Sequence, residues 1–219
     1  MSVGFNVGTY IYQGDLSPAR TGSLETMKPG FSIFAKKPIT NYLDARVQIS
    51  IASLAGDDSR YDKPSYSQKR NFKFNTSVKE FSAQLVWNIL RVSNKDRGFM
   101  PYMYTGAGIT LMNVNKDYSR IDTSFYKIGS TIFDDLAIDN AHGTPRSVIT
   151  VPVGLGAELF VSERISFNVE GAYRFIFNDY LDGFSKSAST KYDDHYYNAS
   201  VGLVYKFGAK ENSTACPRF

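Results

Sequence analysis

The stretch 164–177, RISFNVEGAYRFIF, alternates oily and polar positions: Ile165, Phe167, Val169, Tyr173 and Phe175 fall on one side, Ser166, Asn168, Glu170, Ala172 and Arg174 on the other. A period of two is that of an extended strand, whose side chains point to opposite faces in turn. The pattern recurs along the chain and predicts eight strands, at 3–12, 30–37, 43–54, 72–90, 100–114, 148–161, 164–177 and 195–207. In the third, Leu43, Ala45, Val47, Ile49 and Ile51 oppose Asp44, Arg46, Gln48 and Ser50. In the fourth, Phe81, Ala83, Leu85, Trp87 and Ile89 oppose Glu80, Ser82, Gln84 and Asn88. Helical periodicity is almost absent between them, and no apolar run reaches the roughly 18 residues of a spanning helix.

Such alternation suits either a soluble sandwich, with its polar face in water, or a membrane barrel, with its apolar face in lipid and its polar face in the lumen. The connections decide between them. Segments 13–28, 56–71, 115–147 and 178–194 are long, whereas 38–42, 91–99 and 162–163 are short, and the two classes alternate strictly. An outer-membrane barrel keeps that parity, with long extracellular loops and short periplasmic turns; a Greek-key sandwich has no reason to. The predicted fold is therefore all-β: a transmembrane up-and-down antiparallel barrel of about eight strands over 1–207, with a short periplasmic tail at 208–219. It is placed in the bacterial outer membrane with both termini periplasmic. The first residues, MSVGFNVGTY, already read as strand, without a signal peptide's charged and apolar regions, so the sequence reads as a mature or truncated form.

On this reading Asp44, Arg46, Glu80, Glu158, Glu170 and Arg174 line the lumen, where they must pair with one another. Glycines at 4, 8, 106, 108, 154, 156 and 202 share the lumen face and make room for bulky neighbours. Trp87, Tyr173, Tyr197 and Tyr205 are expected in an interfacial aromatic girdle, together with Tyr102 and Tyr104 unless these two point inward.

Composition adds limits. The 219 residues are 42% hydrophobic and 15% aromatic, enough for one full barrel. The net charge of +4 comes from scattered Lys and Arg, which argues against a nucleic-acid partner and suits anionic headgroups of outer-membrane lipid or lipopolysaccharide. The single cysteine, Cys216, excludes an internal disulfide. A lipase-like triad could be drawn from His195, Asp193, Asp194 and Ser185, Ser187 or Ser189, but no spacing ties these residues together. The acidic pairs Asp57 with Asp58, Asp134 with Asp135 and Asp193 with Asp194 lack the ligand series of a calcium loop. No catalytic, cofactor or metal residue is assigned. Segment 115–147 carries more apolar residues than a solvated loop needs, among them Phe125, Tyr126, Ile132, Phe133 and Leu136; it either packs over the barrel mouth or docks another envelope protein.

Several strings resemble a family of small outer-membrane barrels from Bacteroidetes-type bacteria: GTYIYQGDL (8–16), KRNFKFNTSVKEFSAQLVWNI (69–89), FMPYMYTGAGI (99–109) and VPVGLGAELFVSERISFNVEGAYRFIFNDYLDGFS (151–185). VGLVYKF (201–207) resembles the final-strand signature that the insertion machinery of outer-membrane barrels recognises. The family includes the barrel subunit of type IX secretion and barrels joined to an OmpA-like peptidoglycan-binding domain, which does not follow residue 207 here. The resemblance implies a non-enzymatic structural or accessory subunit of an envelope complex, protein secretion being the first candidate, with Cys216 and the tail as a periplasmic contact. The alternatives are a free-standing barrel that binds a ligand or forms a narrow pore and, third, a lipid-modifying barrel enzyme.

Overall fold

In the computed structural model, which describes residues 1–18, 21–62, 65–90, 98–127, 129–178, 180–188 and 194–207, eight antiparallel strands close into a barrel. They are β1 (Ser2–Gln13), β2 (Lys28–Pro38), β3 (Leu43–Asp57), β4 (Lys73–Asn88), β5 (Phe99–Asp117), β6 (Ser147–Phe160), β7 (Ile165–Ile176) and β8 (His195–Lys206). Each strand pairs with its sequence neighbours, and β1 closes on β8 from Ser2↔Lys206 to Gln13↔His195. Closure leaves no free sheet edge, the condition for a sheet to sit in lipid.

The faces divide as the alternation predicts. Phe5, Val7, Phe31, Ile33, Val47, Ile49, Phe81, Leu85, Ile109, Leu155, Val169 and Leu203 point outward and are exposed. From Phe81 on β4 to Ile89 just past its end the apolar outer face covers eight residue steps, which at about 3.4 Å each and a tilt near 40° span roughly 21 Å along the barrel axis. That is close to the apolar band of a membrane barrel. Trp87, Phe99, Tyr205 and Phe207 edge the band near the chain termini, and Phe175 and Phe177 edge it at the opposite end. Tyr102 and Tyr104 do not join them. Both are buried in the lumen, where Gly156 and Gly154 lie against their rings and a Cβ would collide with them.

The described short connections, 39–42 and 161–164, lie at the termini end. At 39–42 the Ile39 and Thr40 amides donate to the Leu43 carbonyl at 2.8 and 2.9 Å, and at 161–164 the Ser162 hydroxyl accepts from the Ile165 amide at 3.0 Å. The four long connections gather at the other end, here termed the crown. Two regions there depart from the sequence expectation. β3 and β5 run on to Asp57 and Asp117, beyond the 54 and 114 that alternation suggests, because their last outward residues are polar while their inward ones still pack on the core. Helices also occur in the connections: α1 (Ser67–Arg70), between β3 and β4, is a single turn, but α2 (Thr131–His142), in the longest connection, has three. Its buried Ile132, Leu136 and Asp139 recur at steps of four and three, a helical stripe short enough to be missed in a chain read for a period of two.

Candidate functional site

The lumen is organised in two storeys. Towards the termini it is polar and ion-paired. Arg46 on β3 crosses to Glu170 on β7, with Nη1 to Oε1 at 2.5 Å and Nη2 to Oε2 at 3.0 Å. The same carboxylate accepts from Tyr102 Oη at 2.6 Å and Asn6 Nδ2 at 3.1 Å, while the Arg46 guanidinium lies over the rings of Phe34 and Tyr104. Arg174 on β7 donates from Nε to Glu80 on β4 at 2.6 Å and from Nη1 to Asn198; Tyr196 Oη also donates to Glu80, at 3.0 Å. Lys36 on β2 reaches Glu158 on β6 at 2.9 Å and lies 3.9 Å from Asp44, which accepts from Asn88 Nδ2. Lys206 joins Glu158 at 3.7 Å.

All six residues named from sequence for this network therefore stand in it, and Glu170 and Arg174 belong to two separate pairs. Lys36 and Lys206 join it unannounced by the sequence reading. Lys36 was legible, since it continues the inward series Gly30, Ser32 and Phe34 of β2. With the two lysines, Asp44, Glu80, Glu158 and Glu170 face Lys36, Arg46, Arg174 and Lys206, and the charges cancel. Each long pair joins strands that are not neighbours in the sheet, so together they brace the barrel across its width. Unpaired buried charge would cost several kcal/mol per ion, which is why neutrality is required.

Towards the crown the lumen is apolar. Tyr10, Tyr12, Leu54, Phe72, Phe74, Val78, Met112 and Ile176 form a core that continues upward through Leu16, Leu181 and Phe184 into the loops. Ile132 and Leu136 of α2 are buried in it, and Tyr126 and Phe133 pack against its side. Of the described residues proposed for partner binding, only Phe125 stands out, at 58% exposure. Cys216 lies outside the described residues, as do the tail 208–219, Asp193 and Ser189.

Buried polar contacts lock the crown. Asp139 of α2 accepts from the amides of Ser185, Lys186 and Ser187 at 3.0 to 3.2 Å and from the Ser187 hydroxyl at 2.7 Å. Burial pushes its carboxyl up, but those hydrogen bonds outweigh burial and hold it below the ordinary carboxylate value. Arg70 of α1 holds Asp58 at 2.7 and 3.0 Å. Burial opposes its charge, yet the Asp58 bond and field keep the guanidinium above its ordinary value. Tyr12 Oη lies 2.7 Å from Asp182 and 2.6 Å from Asp194.

Two described members of the triad imagined from sequence, His195 and Ser187, make contacts outside it. His195 packs beside Tyr173 and Phe175, its Nδ1 accepting from the Ile176 amide at 3.3 Å, while the Ser187 hydroxyl serves Asp139. Asn198, part of a sequon, is buried in the lumen on Arg174. Asp57 caps the 3-10 turn Asp58–Arg60 through the Ser59 amide and lies 3.3 Å from Lys73.

The fold recurs in solved outer-membrane barrels. Neisserial surface protein A superposes with a TM-score of 0.53 at 14% identity, covering 94% of this chain and 96% of its own. OprG from Pseudomonas aeruginosa gives 0.49 at 12% identity, over 95% of this chain and 96% of its own. An outer-membrane protein from Thermus thermophilus gives 0.48 at 11%, over 94% and 99%. No curated protein matches the sequence. The model of one family, described as a domain of unknown function (DUF6089), matches residues 1–217, and the chain belongs to that family.

Proposed function

We propose that this outer-membrane barrel is a non-enzymatic structural or accessory subunit of an envelope complex, with its termini in the periplasm and its crown outside the cell. The observation that carries the reading is the filled lumen. Three cross-barrel ion pairs and an apolar core occupy the interior, so transport through it is disfavoured and the work falls to the two ends. Short turns with the termini, and long loops opposite, support the orientation. The resemblance to the type IX secretion barrel makes a secretion machine the first candidate complex, with Phe125 at the crown and Cys216 in the tail as contact points. Gentle detergent extraction followed by native electrophoresis should give a large stoichiometric assembly, and crosslinking through Cys216 should name its members. A lone monomer under those conditions overturns the subunit reading.

A second reading, a free-standing barrel that binds a ligand, is favoured by a groove on the outer wall of the crown, lined by Asp57, Lys73, Asn75 and Asn115 among others. The pore variant of that reading requires a conducting lumen; planar-bilayer current at baseline would remove it.

A further inference from the structure

The crown is lopsided. β3, β4 and β5 rise above the apolar band, whereas β6 and β7 reach this end still apolar, with Ile149 and Phe175 outward. The rising strands carry three outward rows in register: Ser53, Ser77 and Asn113; Ala55, Asn75 and Asn115; Asp57, Lys73 and Asp117. Lys79 stands just below them, in register with Ile51 and Leu111 and one outward position above Phe81, where the outer face turns apolar. From Lys79 to Lys73 is six residue steps, or about 15 Å of height at a tilt near 40°.

A groove of about 460 Å³ lies on this face, lined by Asp57, Lys73, Asn75, Asn115, Asp117 and Arg120 among others. Its charges nearly cancel: Asp57 is 3.3 Å from Lys73, and Asp117, which caps the Ser119 amide at 2.9 Å, balances Arg120. Asn75 and Asn115 sit side by side, each presenting a carbonyl acceptor and two N–H donors. Acceptors and donors therefore interleave at about 4.8 Å across the strands. A sugar ring, each hydroxyl of which both donates and accepts, matches such a floor better than an apolar ligand does, because Phe74, the apolar residue of the lining, is almost wholly buried. Below the groove the exposed Lys79 is a cation at the upper edge of the apolar wall, a height that suits an anionic lipid phosphate, and below it the wall is fit for acyl chains.

We propose that the outer face of β3, β4 and β5 binds the phosphorylated saccharide headgroup of an outer-leaflet glycolipid of the lipopolysaccharide type. Sugar hydroxyls lie on Asn75 and Asn115, a phosphate on Lys79, and acyl chains along Phe81, Leu85 and Ile109. The site rests on the outward placement of the crown.

The test titrates the purified full chain, in detergent and in vesicles, with rough-type lipopolysaccharide, with its deacylated core oligosaccharide and with phosphatidylglycerol. The expected result is one lipopolysaccharide per barrel, with affinity at least tenfold weaker for the Asn75→Ala/Asn115→Ala double variant and for Lys79→Ala. Lys37→Ala, an exposed lysine near the other end of the barrel, should bind as the parent does. Heat-modifiable migration confirms that each variant is folded. Parental affinity in the Asn75 and Lys79 variants overturns the site. Equal affinity for the soluble core overturns the lipid source in favour of a free glycan, and equal affinity for phosphatidylglycerol overturns saccharide recognition. Orientation is read separately, by labelling Asn75→Cys in a Cys216→Ser background with an impermeant maleimide on intact cells. Failure to label overturns the outward crown, and with it the cellular ligand, while the binding data stand on their own.

Discussion

Replacing Glu170 by Gln tests whether the lumen is held by paired charge. Glu170 and Arg46 are both almost wholly buried, and four bonds of 3.1 Å or shorter converge on the carboxylate, from Arg46 twice, Tyr102 and Asn6. The Glu170→Gln variant leaves the lumen with one uncompensated cation and turns an NH2 group towards donors. Removing one partner of a buried pair costs about 3 to 5 kcal/mol, and 4 kcal/mol is roughly a thousandfold in the folding equilibrium. Arg46→Met strands the carboxylate instead, with Tyr102 and Asn6 still donating, so its cost lies at the lower end of that range. In the double variant neither charge remains, and its cost should fall at least about 2 kcal/mol short of the sum of the single costs. Equilibrium unfolding by guanidinium in lipid vesicles, followed by Trp87 emission, measures all three. A loss below about 1 kcal/mol for Glu170→Gln, or strict additivity, would refute the ion-paired plug.

Other outcomes follow from single contacts. Trp87, the only tryptophan, faces outward within the band, so brominated lipids should quench its emission strongly and aqueous acrylamide weakly; the reverse order would contradict the assigned outer face. Asp139→Ala removes four hydrogen bonds that tie α2 to 185–187 and should speed hydrogen exchange across Thr131–His142 while leaving β7 protected. The carboxyl's value is depressed in the folded state, so its contribution is complete above the ordinary carboxylate range and lost as pH falls through the depressed value. Exchange in α2 should rise over that acidic window, and in Asp139→Ala should lose this pH dependence. Arg70→Ala strands the buried Asp58 and should expose 58–72 to limited proteolysis at neutral pH, with cleavage unchanged from the parent counting against a structural role for the pair.

How much of this was legible depends on whether a feature lives on one strand or between several. The strands, their faces and the six lumen charges follow from a period of two, because lipid and lumen each demand one kind of residue at every second position. Tyr102 and Tyr104 were ambiguous because a tyrosine suits either an interface or a lumen. Only the glycines opposite them on the neighbouring strand β6 make the inward space. The fate of Ile132 and Leu136 was undecided for a like reason: a loop's apolar residues are equally consistent with a core and a docking patch until the facing surface of Phe74, Val78 and Ile176 is known. The outward rows of the crown escaped notice entirely. Above the membrane the outer face turns polar, so on β3 and β5 the alternation of oily and polar positions stops where only the lipid does.

Within the band, the outer face of β4 needs only to be oily, and Phe81, Ala83, Leu85 and Trp87 satisfy that with no shared shape. Above it, water would accept almost any polar residue on β3, β4 and β5, and a solubilising surface would favour scattered lysine and glutamate. Instead the described rows hold Ser, Asn, one Ala and one charge triplet whose members oppose each other in register, on a sector of the wall that continues past the apolar band. Extending three strands commits backbone to order outside the bilayer, at about 1 to 2 kcal/mol of entropy per residue, when a loop could have turned back at the membrane surface as on β6 and β7. The inward residues of the extension, Leu54, Phe74, Thr76 and Met112, recover part of that cost by packing on the crown core. The polar outward rows recover less of it, through cross-strand pairs such as Asp57 with Lys73, and a ligand bound along them would add to that.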